Sequence, residues 1–213
     1  MKRILSFLSA VLLVTCSLRA QTGVGKLFVG MPDSLLPLIS APVRDAMIHT
    51  YSGTSGTSHT DVFSHSVRLD TLTADYLRLS TSESSSLELR LLQTQDSVTL
   101  IAAVTTVQAP LADSHIRFFN DRWQPLFWLE FPEPEVEDYF PAVPDSLQAS
   151  LSRVQQALSE LPLVRIEAGP EAPRFTLSLS ADELDREQKK LAKPHMRPVV
   201  LEWNGTAFVR VKE

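Results

Sequence analysis

One cysteine, Cys16, is all that the 213 residues contain. Beyond it there is no thiol for a disulfide, a nucleophile or a thiolate metal site, so the fold must be held by burial alone. Glycine is scarce too, at 7, and no Gly-rich phosphate loop occurs; a His-Glu-x-x-His helix and paired cysteines are equally missing. Basic charge is in deficit: 20 Lys and Arg against 25 Asp and Glu leave a formal net charge of −5. Nucleic acid and anionic membrane both require basic surfaces, so neither is expected as the main partner. No apolar run is long enough for a permanent membrane-spanning helix. Nor does any motif ask for a cofactor, and none is expected.

What is present begins with an address. Lys2 and Arg3 precede an apolar run over 4–14, followed by Cys16-Ser-Leu-Arg-Ala20. This pattern predicts a secretory signal peptide over 1–20, cleaved after Ala20. The competing expectation is a lipoprotein anchored through Cys16, which Thr15 disfavours because a small residue normally precedes the modified cysteine. In either case the chain is expected in the periplasm, in the cell envelope or outside the cell. Loss of Lys2, Arg3 and Arg19 makes the remainder more acidic still.

The stretch over 98–107 is apolar or small at every position of both faces, as in Leu100, Ala102 and Val104 against Ile101 and Ala103. That is the pattern of a strand in the middle of a sheet. After it, Pro110, Asp113 and Ser114 are expected to turn the chain into two short aromatic strands about Asn120-Asp121. Before it, Leu77 and Leu79, then Leu87, Leu89 and Leu91, alternate with polar residues. Glu88 and Arg90 are therefore expected to face water, on an antiparallel sheet with one solvated side. Upstream, 27–29 predict a short strand and 33–49 a helix broken at Pro42. The Ser-, Thr- and Gly-rich 52–66 predict a mobile loop.

Residues 130–144 are acidic and proline-rich and read as a linker. Leu147, Leu151, Val154, Leu158 and Leu161 then make one apolar stripe of a helix, which Pro162 stops. Strands are expected over 163–166 and 175–179, and a surface helix opened by a Ser180–Glu183 capping box. An Asn204-Gly205 hairpin is expected to close the chain. The predicted class is α+β: antiparallel sheet or sheets with helices packed on one face. The expected divisions are a helix-plus-strand half over 21–129, the linker over 130–144, and a second such half over 145–213. Pro-Asp-Ser-Leu opens both halves, at 32–35 and 144–147, and the two asparagines, Asn120 and Asn204, each follow an aromatic in a hairpin turn. The halves are thus candidates for a duplication, although short capping and turn signals also recur for chemical reasons alone.

Leu27-Phe-Val-Gly-Met-Pro-Asp-Ser-Leu-Leu-Pro37, Thr106-Val-Gln-Ala-Pro110 and the run from Asp113 through Phe119 to Trp123 together resemble one family. It is a family of exported bacterial proteins, domain of unknown function thirty-two fifty-six. The resemblance implies export and brings no activity, cofactor or catalytic residue with it.

Candidate chemistry is sparse. His59, Asp61 and His65 have ligand types suited to a divalent metal, but a loop offers them no preorganised geometry. Asp113-Ser114-His115 holds the residue types of a triad, yet neighbours on a strand point to opposite faces. Glu133, Glu135, Glu137 and Asp138 suit Ca²⁺ only if the prolines let their oxygens converge. Phe119, Trp123 and Trp128 are the candidate binding residues, an aromatic patch for a protein or glycan. Phe118 and Phe119 cannot face the same way, so one of them is expected at an interface with the other half. The leading expectation is a non-catalytic exported protein that binds another envelope or secreted macromolecule. The alternative is a secreted hydrolase or metal-dependent enzyme using the 59–65 loop.

Overall fold

The computed structural model describes residues 23–211 except 54, 55, 62, 64 and 109; the expected signal segment and Cys16 lie outside the described residues. The fold is α+β, with a six-stranded antiparallel sheet and a four-stranded one, each a meander in chain order. The larger comprises β1 (Thr57–Thr60), β2 (Ser66–Leu72), β3 (Tyr76–Ser82), β4 (Ser85–Gln93), β5 (Thr99–Gln108) and β6 (Ala112–Asn120). The central apolar stretch is β5, paired on one side with β4 and on the other with β6.

Register explains how the two faces are sorted. Leu77 pairs with Leu89, Leu89 with Ala103, and Ala103 with Arg117, so across β3 to β6 these odd numbers share one face of the sheet and the even numbers between them the other. The odd face packs on α1 (Val24–Val29) and α2 (Ala41–Thr50) in a core containing Phe28, Met47, Leu89, Ile101 and Phe119. The even face (Leu100, Ala102, Val104, Phe118) packs on the smaller sheet. That sheet consists of β7 (Val164–Glu167), β8 (Arg174–Leu179), β9 (Val199–Trp203) and β10 (Phe208–Arg210), and α3 (Gln148–Glu160) joins the same core. Phe118 and Phe119 thus enter different cores, Phe118 at the junction with the second half.

Several local expectations are corrected. Residues 27–29 are helical: Val24, Leu27 and Phe28, at helical spacing, are all buried by α1. Pro42 is the second residue of α2, in the first turn where its missing N–H costs nothing, and Asp33–Leu35 is a separate 3-10 turn. Within the supposed loop, β1 forms because an edge strand rich in Thr needs no apolar alternation to pair with β2. Asp113 and Ser114 lie inside β6 rather than at a corner. The second aromatic strand shrinks to an isolated bridge, Phe119 to Pro125.

Within 130–144, Val136, Tyr139 and Phe140 are buried on a 3-10 turn, Val136–Tyr139, capped reciprocally by Glu135 and Asp138. The surface helix begins later than expected, as α4 (Arg186–Ala192), because Asp185 and Gln188 form the capping box instead.

The largest correction concerns Glu88 and Arg90, which are 2% and 3% exposed. They are even-numbered, and the smaller sheet covers their face. Glu88 Oε2 accepts from the Tyr76 hydroxyl and from the Ala168 N–H, both at 2.9 Å, while Oε1 lies 3.3 Å from Arg78 Nη1. Arg90 donates to the Gly169 and Pro170 carbonyls at 3.2 and 3.0 Å and to Asp75 at 2.9 Å. These charges clamp the turn after β7, where Gly169 takes φ +55°. Burial, then the Glu88 charge, raises the Tyr76 phenol above its ordinary pKa. Burial lowers that of Arg90, against the pull of Asp75.

Candidate functional site

β6 is the wall between two cavities, and the turn that ends it builds both. Asn120 N–H donates to the Gln124 carbonyl and Trp123 N–H to that of Asn120, each at 3.0 Å. Asn120 Oδ1 accepts from the N–H groups of Arg122 and Gln124 at 3.0 and 2.9 Å. A three-residue hairpin of this kind needs a left-handed residue, commonly Gly, in its last place. Trp123 occupies it at φ +61°, a strained choice for a bulky side chain. Its ring offsets the strain: it is buried, 5.4 Å from the Phe119 ring, and Nε1 donates to the Leu27 carbonyl of α1 at 3.0 Å.

On the odd face, a cavity of about 210 Å³ lies between this floor of Phe119, Trp123, Leu87 and Ala103 and a strap over residues 31–39. Arg44, 1% exposed, holds the strap in place. Its guanidinium reaches Asp33 Oδ1 at 3.0 Å, the Ile39 carbonyl at 2.5 Å, the Val29 carbonyl at 3.3 Å and the Met31 carbonyl.

On the other side of β6 lies a cleft of about 610 Å³, walled chiefly by Ile116, Phe118, Leu126, Phe131, Val164 and Ile166. Asp113, His115, Arg117 and Glu133 also border it. Phe127 borders it too and is 92% exposed, and the neighbouring Trp128 is 67% exposed. Tyr139 stands in the wall with its hydroxyl buried and, among the described residues, without a hydrogen-bond partner. Burial, with the Asp138 charge behind it, pushes that phenol up to about 12.

The candidate residues are scattered over the fold. Phe119 and Trp123 meet in the floor of the smaller cavity, and Trp128 is an exposed residue of the 125–131 segment. His59 lies on β1 with Nε2 3.2 Å from the Thr50 hydroxyl. Asp61 instead organises the β1–β2 turn, accepting from the N–H groups of Phe63 and His65 at 2.8 Å and facing His65 Nδ1 at 3.2 Å. Burial acts to raise the Asp61 carboxyl, but those two N–H groups and the imidazole outweigh it and hold the pKa below the ordinary value. Among the described residues, no group of three His, Cys, Asp or Glu is placed to hold a metal ion.

Ser114, central to the triad spelling, is engaged structurally: Oγ lies 2.8 Å from Thr106 Oγ1 and accepts from the Ile166 N–H at 3.0 Å. In the acidic segment, Asp138 pairs with Arg210. Sequence reasoning missed Arg44, Glu88 and Arg90. For the last two a signal existed. An even face on β5 made of Leu100, Ala102 and Val104 demands a cover, and any cover wide enough reaches its neighbour β4.

Residues 15–208 match the family described as "Protein of unknown function (DUF3256)". The chain belongs to this family. Among solved structures, a domain of an uncharacterized protein from Porphyromonas gingivalis W83 is similar, with a TM-score of 0.71 at 28% identity, over 89% of this chain and 98% of that one. No curated protein matches the chain. Family and fold are thereby placed, and the geometry of the β6 region has to speak for function.

Proposed function

We propose that this protein is an exported, non-catalytic binding protein whose partner, another envelope or secreted protein, is held in the cleft beside β6. The observation that carries the reading is the apolar cleft of about 610 Å³ with Phe127 and Trp128 exposed on the segment that forms its wall. Large aromatic side chains beside a concave apolar surface are the residue types that dominate binding energy once desolvated. The aliphatic and phenyl walls suit the side chains of a polypeptide better than the hydroxyls of a glycan. The basic and apolar N-terminal segment is what supports export.

The test is capture from the native envelope with the wild-type protein and with a Phe127→Ala/Trp128→Ala double variant. Loss of the same captured species with the variant supports the reading, and its undiminished retention overturns it. A mass spectrum of the mature N-terminus tests export separately: a start at Gln21 is expected.

A further inference from the structure

The outer edge of β6 is a row of backbone groups whose direction can be worked out. The Leu126 N–H donates to the Phe118 carbonyl and the Asn120 N–H to the Gln124 carbonyl, so Phe118 and Asn120 point away from β5. No register shift interrupts the β5–β6 pairing. The N–H and C=O groups of Ser114 and Ile116 therefore point away from β5 as well. Neither residue has a backbone partner on that side among the described residues. The opposite edge of the same sheet is β1, four residues long and polar, which is how edges are commonly blunted. β6 has no proline or bulge, and its outer side is free from Ala112 to Arg117, Phe118 and Asn120 being bonded to Leu126 and Gln124. An edge of that length and regularity is a template for another strand.

The side chains along it point to which strand. Asp113, His115 and Arg117 are exposed on one face of β6, and none of them forms an ion pair among the described residues; Arg117 rests over the Phe119 ring at 5.6 Å. We propose that β6 pairs antiparallel with β6 of a second copy of this chain, about a two-fold axis at His115. In that register Ser114 exchanges hydrogen bonds with Ile116 of the second copy, and Ile116 with its Ser114. Asp113 then stands opposite Arg117 of the second copy, and Arg117 opposite its Asp113. Both charge pairs fall at non-hydrogen-bonded positions, where cross-strand side chains come closest. Moving the axis by one residue sets Arg117 against His115 or Leu111, so charge selects this register. The sequence is complementary to itself only there.

Sedimentation of the purified protein over a dilution series tests the proposal, with Asp113→Arg and Arg117→Glu made separately. The wild type should form dimers that dissociate on dilution. Each variant alone places like charges opposite one another twice and should weaken self-association by about tenfold or more. Mixed in equal amounts they restore both opposite-charge pairs, and heterodimers should form within about threefold of the wild-type affinity. Ile116→Pro removes an N–H that points away from β5 and should abolish the dimer. The Ile116 side chain also packs on the shared core, so the thermal midpoint should fall as well, and a retained far-ultraviolet spectrum shows that the resulting monomer is folded. A wild type that stays monomeric at every concentration, or a mixture no tighter than the separate variants, overturns the proposal. The second β6 would run along residues that also line the cleft, so capture at Phe127 and Trp128 is measured at a dilution where the protein is monomeric, where it reports on the cleft alone.

Discussion

Glu88 carries an anionic charge into the junction between the two sheets, and its three partners come from both sides of it. Removing one member of a buried ionic group leaves the others desolvated and unpaired. Glu88→Ala is therefore expected to cost about 3–5 kcal/mol in urea unfolding. Tyr76→Phe, which removes a single hydrogen bond to it, is expected to cost about 1 kcal/mol. Trp123 has the opposite balance. Gly in its place would relieve roughly 1–3 kcal/mol of left-handed strain, but losing the ring removes about 3–5 kcal/mol of packing. Trp123→Gly should thus destabilise, and the unfolding midpoint should fall. Asp61 makes stability depend on pH. Its folded pKa lies below the unfolded one, so its contribution is fully present above the ordinary carboxylate value and is lost as pH falls through the lowered one. Amide exchange at Phe63 and His65 should quicken over that acidic window, and in Asp61→Asn the pH dependence should be much reduced.

Among the elements, α3 separates pattern from burial. Its apolar stripe runs from Leu147 to Leu161, yet the core takes Leu151, Val154 and Leu158 while Leu161 is 56% exposed. Leu151→Ala is expected to cost about 2–5 kcal/mol, whereas Leu161→Ala should stay within about 0.5 kcal/mol; thermal unfolding of both variants checks the contrast. Pro-Asp-Ser-Leu behaves alike at its two occurrences, as 3-10 turns at Asp33–Leu35 and Asp145–Leu147 with the N–H of each Leu donating to the Pro carbonyl at 2.9 Å. Their continuations differ: the second turn runs straight into α3, while the first leads through the strap to α2. The two asparagine turns also correspond, each with an Oδ1 accepting two backbone N–H groups.

At the scale of the whole molecule, the two parts of the chain share a core. Leu100, Phe118, Tyr139, Leu151, Phe175 and Phe208 belong to one cluster, and Phe208 contacts both Phe118 and Phe175 at 5.4 Å. The indole N–H of Trp203 donates to the Gln93 carbonyl at 2.8 Å, tying the last hairpin to β4. Neither sheet can bury its own face without the other, so unfolding should be one cooperative transition. Tryptophan fluorescence and far-ultraviolet circular dichroism should coincide across a urea titration. A second, separate transition would mean that the sheets fold independently.

The amino-acid sequence by itself determined the class of the fold, the interior strand β5, the hairpin at Asn204-Gly205 and the core face of α3. These rest on local periodicity and turn chemistry, which act over a few residues. It also carried the opposed fates of Phe118 and Phe119, because neighbours on a strand cannot share a face. Only the tertiary structure decided that the even face of the larger sheet is covered. That one fact turned Glu88 and Arg90 from solvated residues into buried ones and made the proline-rich segment part of the core. Both cavities were likewise invisible beforehand, since each is bounded by segments distant in the chain. Periodicity says which side of a strand is apolar; what comes to lie upon that side depends on contacts from far along the chain, and no local pattern encodes them.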